Sequence, residues 1–321
     1  MTAVSDVKLP RVSVLVPARD EADNLPEFMR QAAATFAAEP GKYEVVVVDD
    51  GSSDDTPAVL AQLESVYPFL HSVRHRNGRG IADALRTGYL HSRGEVLVFY
   101  PADLQFRPED IPKLVDPILA GDFDMMTGRK EGEYEKAFVS GIYNGLSRRL
   151  FDVPVRDLNS VKAYRREVMA SLPVRPDWHR YMIVVAAHRG FTVGETPIPL
   201  YPRLAGRSKF GISRIPIGVL DMFAVWFELR FARKPLLLFG MLGAFLFVIG
   251  VLTGIVAVLY RVIAGVGFRP LLTLVAVCLL LGSVFFATGL LAELMAAQRE
   301  EIAELRRRME EVLVRETDSP R

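Results

Sequence analysis

Two stretches limit what this chain can fold into more than anything else in it. Leu236 to Tyr260 runs for 25 residues, and Leu271 to Ala292 for another 22, without Asp, Glu, Lys, Arg or His. As a helix rising about 1.5 Å per residue, each is long enough to cross a hydrocarbon layer of roughly 30 Å. Buried helices of a soluble core are the other reading, but these rarely run so long without a polar face. Two transmembrane helices are therefore expected over 235–293. The composition agrees: 50% hydrophobic residues and a mean hydropathy of +0.20 are rich for a purely soluble protein.

The remaining organisation follows from that pair. The N-terminal apolar run, VSVLVP, is too short for a cleavable signal peptide, so the residues before the spans are expected in the cytosol. Arg230, Arg233 and Lys234 precede the first span, and Arg299 with Arg306 to Arg308 follows the second. The short connection holds only Arg261 and Arg269, a bias that puts both termini on the cytosolic side of a plasma or inner membrane, with a prokaryotic origin expected. Past Pro202 the sequence shifts toward Ile, Val, Leu, Met, Phe and Trp226 with isolated charges, which fits one or two interfacial amphipathic helices over 211–234. The tail over 294–321 reads as a cytosolic amphipathic helix from Gln298 to Arg315. It could pair with a partner helix or stay solvated, and a homo-oligomer is compatible with the former. Cys278 lies inside the second span and reads as an apolar filler. A net charge of +1 argues against nucleic acid as a partner, since a duplex-binding domain normally shows a concentrated basic excess.

Residues 1–210 are expected to form an α/β domain with a mainly parallel, Rossmann-like sheet. Five β-rich runs alternate with helical stretches: Val12 to Val16, Glu44 to Asp49, Leu70 to Arg74, Val96 to Tyr100 and Phe123 to Thr127. VSVLVP and EVVVVDD are almost continuously apolar, as strands covered on both faces must be. Ligands of such sheets bind beyond the carboxyl ends of the strands. Those ends carry Asp20-Glu21, Asp49-Asp50-Gly51-Ser52-Ser53, Arg76-Asn77-Gly78-Arg79-Gly80, Asp103-Leu104-Gln105 and Gly128-Arg129, so acids, glycines and bases gather at one rim.

The ordered set PARDEADNLP, VVVVDDGSSDDT, NGRGIADALRTG, PADLQFRPEDIP and GRK resembles the inverting glycosyltransferases with the A-type nucleotide-sugar-binding fold. More narrowly, it resembles the polyprenyl-phosphate (dolichol-phosphate) mannose and glucose synthases. The resemblance implies a glycosyltransferase domain that uses a nucleotide sugar and, as acceptor, a membrane polyprenyl or dolichyl phosphate. It implies that Glu21 and Asp50, with Asp49 beside them, meet the base and ribose, and that Gly78 and Gly80 let backbone approach the donor. Asp50 reads equally as a turn residue, since Asp-Gly-Ser favours tight turns, and the GxG as a plain loop.

The resemblance also implies a divalent cation, Mg²⁺ or Mn²⁺, at Asp103 and Gln105. Such an ion would neutralise the departing diphosphate. Members of the family usually have Asp-x-Asp-x-Gln here, whereas this chain has Pro101 in place of the first acid. Mg²⁺ typically takes only one or two protein carboxylates, so one acid and one amide oxygen, together with the substrate's phosphates, could still hold the ion. The competing role for Asp103 is a cap on the helix beginning near Pro108. The acceptor phosphate, mostly a dianion at neutral pH, needs orientation more than a base, and none of the five histidines shows triad spacing.

Arg129, Lys136, Ser140 and Ser208 are implied to hold that phosphate, and Arg203 and Lys209 to close with Ser208 over the diphosphate. Lys136 could instead be a surface charge, and the basic loop a site for anionic lipid. Asp157 faces the sugar or the reacting centre by resemblance; it could equally anchor Arg165 in a salt bridge. The expected reaction gives a polyprenyl-phosphate hexose, mannose or glucose, with inversion. Transfer of an amino or deoxy sugar, or a non-catalytic nucleotide-sugar-binding protein, is the alternative. A processive polysaccharide synthase is disfavoured by the small number of spans and the absence of Gln-x-x-Arg-Trp.

Overall fold

In the computed structural model, the residues described are 9–131, 145, 149–151, 153, 155–171, 180–202, 215–231 and 234–317. Two compact units divide at Met222. The first is built on a seven-stranded sheet of order β3-β2-β1-β4-β6-β5-β7. Its strands are β1 (Val12–Ala18), β2 (Tyr43–Asp49), β3 (Leu70–Arg74), β4 (Val96–Phe99), β5 (Met125–Glu131), β6 (Lys162–Arg165) and β7 (Val193–Pro199). β1 pairs in parallel with β2 and β4, and β2 with β3, which is the parallel sheet the apolar runs predict. All seven residues of β2 are buried, since helices cover both faces of a parallel sheet.

The structure adds two strands that the runs do not announce. β6 enters antiparallel between β4 and β5, and β7 pairs in parallel with β5 at the sheet edge. The fifth strand also runs further than its apolar part, to Glu131, so Arg129 lies within the strand opposite Pro197.

Helices α1 (Leu25–Phe36), α2 (Thr56–Val66), α3 (Ile81–His91) and α4 (Ile111–Leu119) follow β1 to β4. Pro26, Pro57 and Pro112 stand in the first turns of α1, α2 and α4, where a missing N–H costs nothing. The shorter α5 (Arg166–Ser171) and α6 (Met182–His188) flank the insertion between β6 and β7. One face of the sheet is filled by a single cluster, in which Phe28, Met29, Val45, Val47, Val98, Tyr100, Ile111 and Leu114 are buried.

α7 (Ile215–Phe231) is one helix, followed by α8 (Pro235–Ala264) and α9 (Arg269–Thr317). α8 and α9 each hold a window apolar enough to cross a membrane, only 11% and 17% buried. Their large apolar side chains, Phe245, Leu252, Leu280 and Leu291 among them, face outward. A soluble core would bury these side chains, whereas lipid solvates them. The helices approach closely where Gly243 meets Gly282: a Cβ on Gly243 would stand 2.6 Å from the Phe286 nitrogen, and one on Gly282 2.7 Å from the Phe247 nitrogen. Glu293 Oε2 accepts from the Leu236 N–H at 3.1 Å and so caps the start of α8. The second span and the tail are not separate helices. α9 is continuous for 49 residues, since no Gly or Pro interrupts the chain between Gly289 and Pro320.

Candidate active site at the strand ends

The loops after β1, β2 and β3 are bound to one another through Asp20, Ser52, Ser53, Thr56 and Asp50. Ser52 Oγ accepts from the Asp20 N–H at 2.9 Å, and Asp20 Oδ1 accepts from the Ser53 N–H at 2.8 Å. Thr56 Oγ1 accepts from the Glu21 N–H at 2.9 Å, while Glu21 Oε2 accepts from Asn24 Nδ2 at 2.7 Å. Asp50 continues the β1–β2 ladder, its N–H donating to Ala18 O at 2.8 Å. Its carboxylate then closes the third loop: Oδ1 accepts from the Arg79 N–H and pairs with His75 Nδ1, and Oδ2 accepts from the Gly80 N–H, each at 2.8 Å. Burial pushes this carboxyl up, but the Arg79 N–H, the His75 ring and the Gly80 N–H outweigh it, so Asp50 sits below the usual carboxylate range.

Asp49 and Asp50, adjacent in sequence, part company here. Asp49 is 1% exposed; its Oδ1 accepts from the Ser52 N–H at 2.9 Å and its Oδ2 lies 3.2 Å from Arg74 Nε. It shapes the turn, whereas Asp50 faces the loop of Arg76 to Gly80. Gly51, at φ +70°, is required by close approach: a Cβ there would stand 2.6 Å from the Gly78 nitrogen and 2.7 Å from the Asn77 carbonyl carbon. Gly80, at φ +93°, supplies the left-handed turn into α3. Glu21, Asp50 and Gly80 thus belong to one connected rim.

The turn after β4 is held differently. Tyr100 is buried and its hydroxyl donates to Arg107 O at 2.6 Å, closing the loop at its base. The Tyr201 N–H donates to Gln105 O at 2.9 Å, and the Arg107 guanidinium lies 3.9 Å over the Tyr201 ring. Leu104 takes a left-handed backbone at φ +56°, a conformation that strains a branched side chain by about 1–3 kcal/mol and recurs at functional sites. Its neighbours Asp103 and Gln105 sit half-buried, with the Gln105 N–H donating to Asp103 Oδ1 at 3.2 Å. The 3-10 turn at Pro108–Asp110 has Arg107 as its N-cap, which excludes that role for Asp103.

Among the described residues no group of three or more His, Cys, Asp or Glu gathers as a metal site. A cation at this turn would therefore take one carboxylate from Asp103, one amide oxygen from Gln105, and the rest from phosphate and water. That donor set is hard, oxygen-only and open, which fits Mg²⁺ or Mn²⁺ and does not fit zinc.

On the far side of the sheet centre, Arg129 is about one-third exposed and pairs with Glu131 at 3.0 Å. Asp157 does not pair with Arg165. Lys130 Nζ lies 3.3 Å from its Oδ2, and Asp157 Oδ1 accepts from the Asn159 N–H at 3.0 Å. Arg165 instead meets Asp124 at 3.3 Å, because β6 reverses direction and carries Arg165 toward the opposite end of the sheet.

The same strand holds a residue that the motif leaves unremarked. Lys162 is 1% exposed, opposite both Phe99 and Thr127, and its Nζ donates to Ser160 O at 2.6 Å. Desolvation pushes it down to about 7, with Asp157 opposing and Lys130 adding to the fall. A lysine at the head of the short apolar run VKAY was the available signal. Lys136, Ser140, Arg203, Ser208 and Lys209 lie outside the described residues.

A mainly parallel sheet with an acid-lined rim and an Asp-x-Gln turn at its centre defines the A-type class of glycosyltransferase fold. The chain belongs to glycosyl transferase family 2, whose domain matches residues 13–152. It is 30% identical over 296 residues to a dodecaprenyl-phosphate galacturonate synthase of Rhizobium johnstonii, covering 89% of this chain and 87% of that one. It is 26% identical to an undecaprenyl-phosphate 4-deoxy-4-formamido-L-arabinose transferase of Sodalis glossinidius, covering 89% of each. Among solved structures, the glucosyl-3-phosphoglycerate synthase of Mycobacterium tuberculosis, crystallised with Mn²⁺ and uridine diphosphate, shares the fold. The TM-score is 0.55 at 19% identity, covering 68% of this chain and 80% of that one.

Proposed function

We propose that the protein transfers a sugar from a nucleoside diphosphate to the phosphate of a membrane polyprenyl carrier, with inversion. The observation that carries this reading is the extent of the likeness. Relatives that act on dodecaprenyl and undecaprenyl phosphate align over 89% of the chain, more than the catalytic fold alone, which other glycosyltransferases share over 68%. Those relatives transfer galacturonate and a formamido-arabinose. A modified sugar is accordingly the preferred donor, ahead of plain mannose or glucose.

In this reading Glu21, Asp50 and Gly80 receive the nucleoside, and Arg203 and Lys209 receive the diphosphate. Asp103 and Gln105 would hold Mg²⁺ or Mn²⁺, which when bound offsets the charge growing on the leaving diphosphate. Arg129, with Lys136, Ser140 and Ser208, orients the carrier phosphate so that one of its oxygens attacks the anomeric carbon from the face opposite the leaving group. Orientation is the main demand, since the nucleophile is already anionic. Asp157, whose Oδ2 lies 3.3 Å from Lys130 Nζ, faces the reacting sugar. The catalytic domain over 1–210 and both termini are cytosolic, 211–234 lies at the interface, and α8 and the apolar part of α9 span the bilayer.

The test is transfer in detergent or nanodiscs, with undecaprenyl phosphate, Mn²⁺ or Mg²⁺, and a donor panel of UDP-galacturonate, UDP-4-deoxy-4-formamido-arabinose, UDP-glucose and GDP-mannose. The expected result is a polyprenyl-phosphate sugar by mass spectrometry, strongest with a modified sugar and lost with EDTA. A donor that binds without turnover across the panel would establish the non-catalytic alternative instead.

A further inference from the structure

His75 stands where β3 ends, 6% exposed, its N–H donating to Asp49 O at 2.8 Å. Its ring joins two elements. Nδ1 lies 2.8 Å from Asp50 Oδ1, and Nε2 lies 2.8 Å from Thr87 Oγ1 on α3. Asp50 is ionised and can only accept, so Nδ1 must carry a proton. Nε2 meets the Thr87 hydroxyl, which can donate or accept, so Thr87 fixes the direction of the ring while Asp50 fixes the proton on Nδ1.

The consequence falls on Asp50. An ionised carboxylate has about four acceptor positions. Oδ1 uses two, on His75 and Arg79, while Oδ2 uses one, on Gly80. Rotation of the carboxylate would exchange the two oxygens, and the imidazole opposes that rotation from a fixed direction. The open acceptor position is thereby kept on Oδ2, on the side of the Gly80 turn.

We infer that His75 is a positioning residue for the donor: with Thr87 behind it, it holds Asp50 so that Oδ2 presents its remaining lone pair to an N–H or O–H of the donor's nucleoside. This rests on the reading of the Asp50 loop as the nucleoside site. His75 itself touches no substrate. The role differs from packing because it depends on one N–H, which asparagine can reproduce at the Nδ1 position and leucine cannot.

The test is calorimetric binding of uridine diphosphate and guanosine diphosphate, each with Mn²⁺, to the full-length protein in detergent. Binding is read independently of transfer to any lipid. His75→Leu should raise the Kd of whichever nucleotide binds by about tenfold, the size of one charge-assisted hydrogen bond. His75→Asn should return it to within about threefold of the wild type, and Thr87→Val should produce a rise of about threefold. Turnover at saturating donor should stay within about twofold in all three, a split that general damage to the core would not give.

A His75→Leu protein that binds nucleotide like the wild type overturns the inference. So does His75→Asn binding as weakly as His75→Leu at the same melting temperature. If His75→Leu does not fold, His75→Asn and Thr87→Val decide by the same thresholds. A wild-type protein that binds neither nucleotide removes the nucleoside-site reading, and the inference with it.

Discussion

Around Asp50 the carboxylate is held by two backbone N–H groups and a histidine ring, all within 2.8 Å. Around Asp103 the turn is held mainly from outside, by Tyr100 on Arg107 O, by Tyr201 on Gln105 O, and by Arg107 stacked on Tyr201. The first region is shaped before any ligand arrives. The second fixes a strained backbone and leaves the acid and the amide half-buried at the rim, where ligands from solution can complete the set. Two ways of organising a site therefore share the ends of one sheet: in one a carboxylate is fixed directly by loop N–H groups and a ring, in the other a turn is fixed through its backbone.

The sharpest way to break that comparison is Asp103→Asn. If substrate completes the Asp103 corner, removing its one charge should lower transfer by about two to three orders of magnitude, as loss of a preorganised electrostatic group does. Nucleotide binding and the melting temperature should change little, and a large fall in melting temperature would mean that Asp103 serves the fold instead.

Asp50→Ala should show the opposite profile. It strands three donors, so stability should fall by about 2–3 kcal/mol and nucleotide affinity by more than tenfold. The sign of the pH effect follows from the lowered carboxyl of Asp50. Its contribution is complete above the ordinary aspartate value of about 3.9 and is lost as pH falls through the lower folded value. Melting curves between pH 6 and 3 should therefore be shallower in Asp50→Asn than in the wild type.

Lys162→Met probes the boundary between the two regions. Its folded value of about 7 lies below the ordinary lysine value, so the unfolded chain binds more protons between the two and stability rises with pH across that window. Removing the ammonium should raise stability by about 1–3 kcal/mol near pH 6, where both states are charged and the burial cost is complete. The gain should shrink toward pH 9. A gain that does not vary with pH would show that the amine stays charged in the fold throughout and that its folded value is not lowered.

The smallest expected effect is from Pro101→Asp. A second acid at the corner should lower the Mn²⁺ concentration for half-maximal transfer by about threefold to tenfold, with nucleotide affinity unaltered. No change would mean that Asp103 and Gln105 with phosphate already satisfy the ion.

Much of this was legible because the signal was continuous. VSVLVP and EVVVVDD could only be buried strands, and 25 residues without a charge could only be an apolar helix. β6 escaped because KAYR is four residues long, begins and ends with a charge, and owes its place to neighbours far away in sequence. The same applies to Asp157, for which a salt bridge to Arg165 was one of two open readings; the antiparallel register separates them and delivers Lys130 instead. Asp49 and Asp50 could be named as a pair but not distinguished. Strand alternation turns one into the core and leaves the other at the loop, and that depends on where pairing stops. His75 carried no spacing signal at all, since its partners come from a strand end and a helix on either side of it in the chain.

The cap on α8 has a consequence for how the chain is made. The N–H of Leu236 finds its acceptor at Glu293, 57 residues downstream. While the ribosome is still adding the second apolar helix, the leading end of the first therefore lacks its final partner. This contact can form only once Glu293 has emerged, so a chain cut short between the two helices would be left with a half-finished anchor rather than a shorter one.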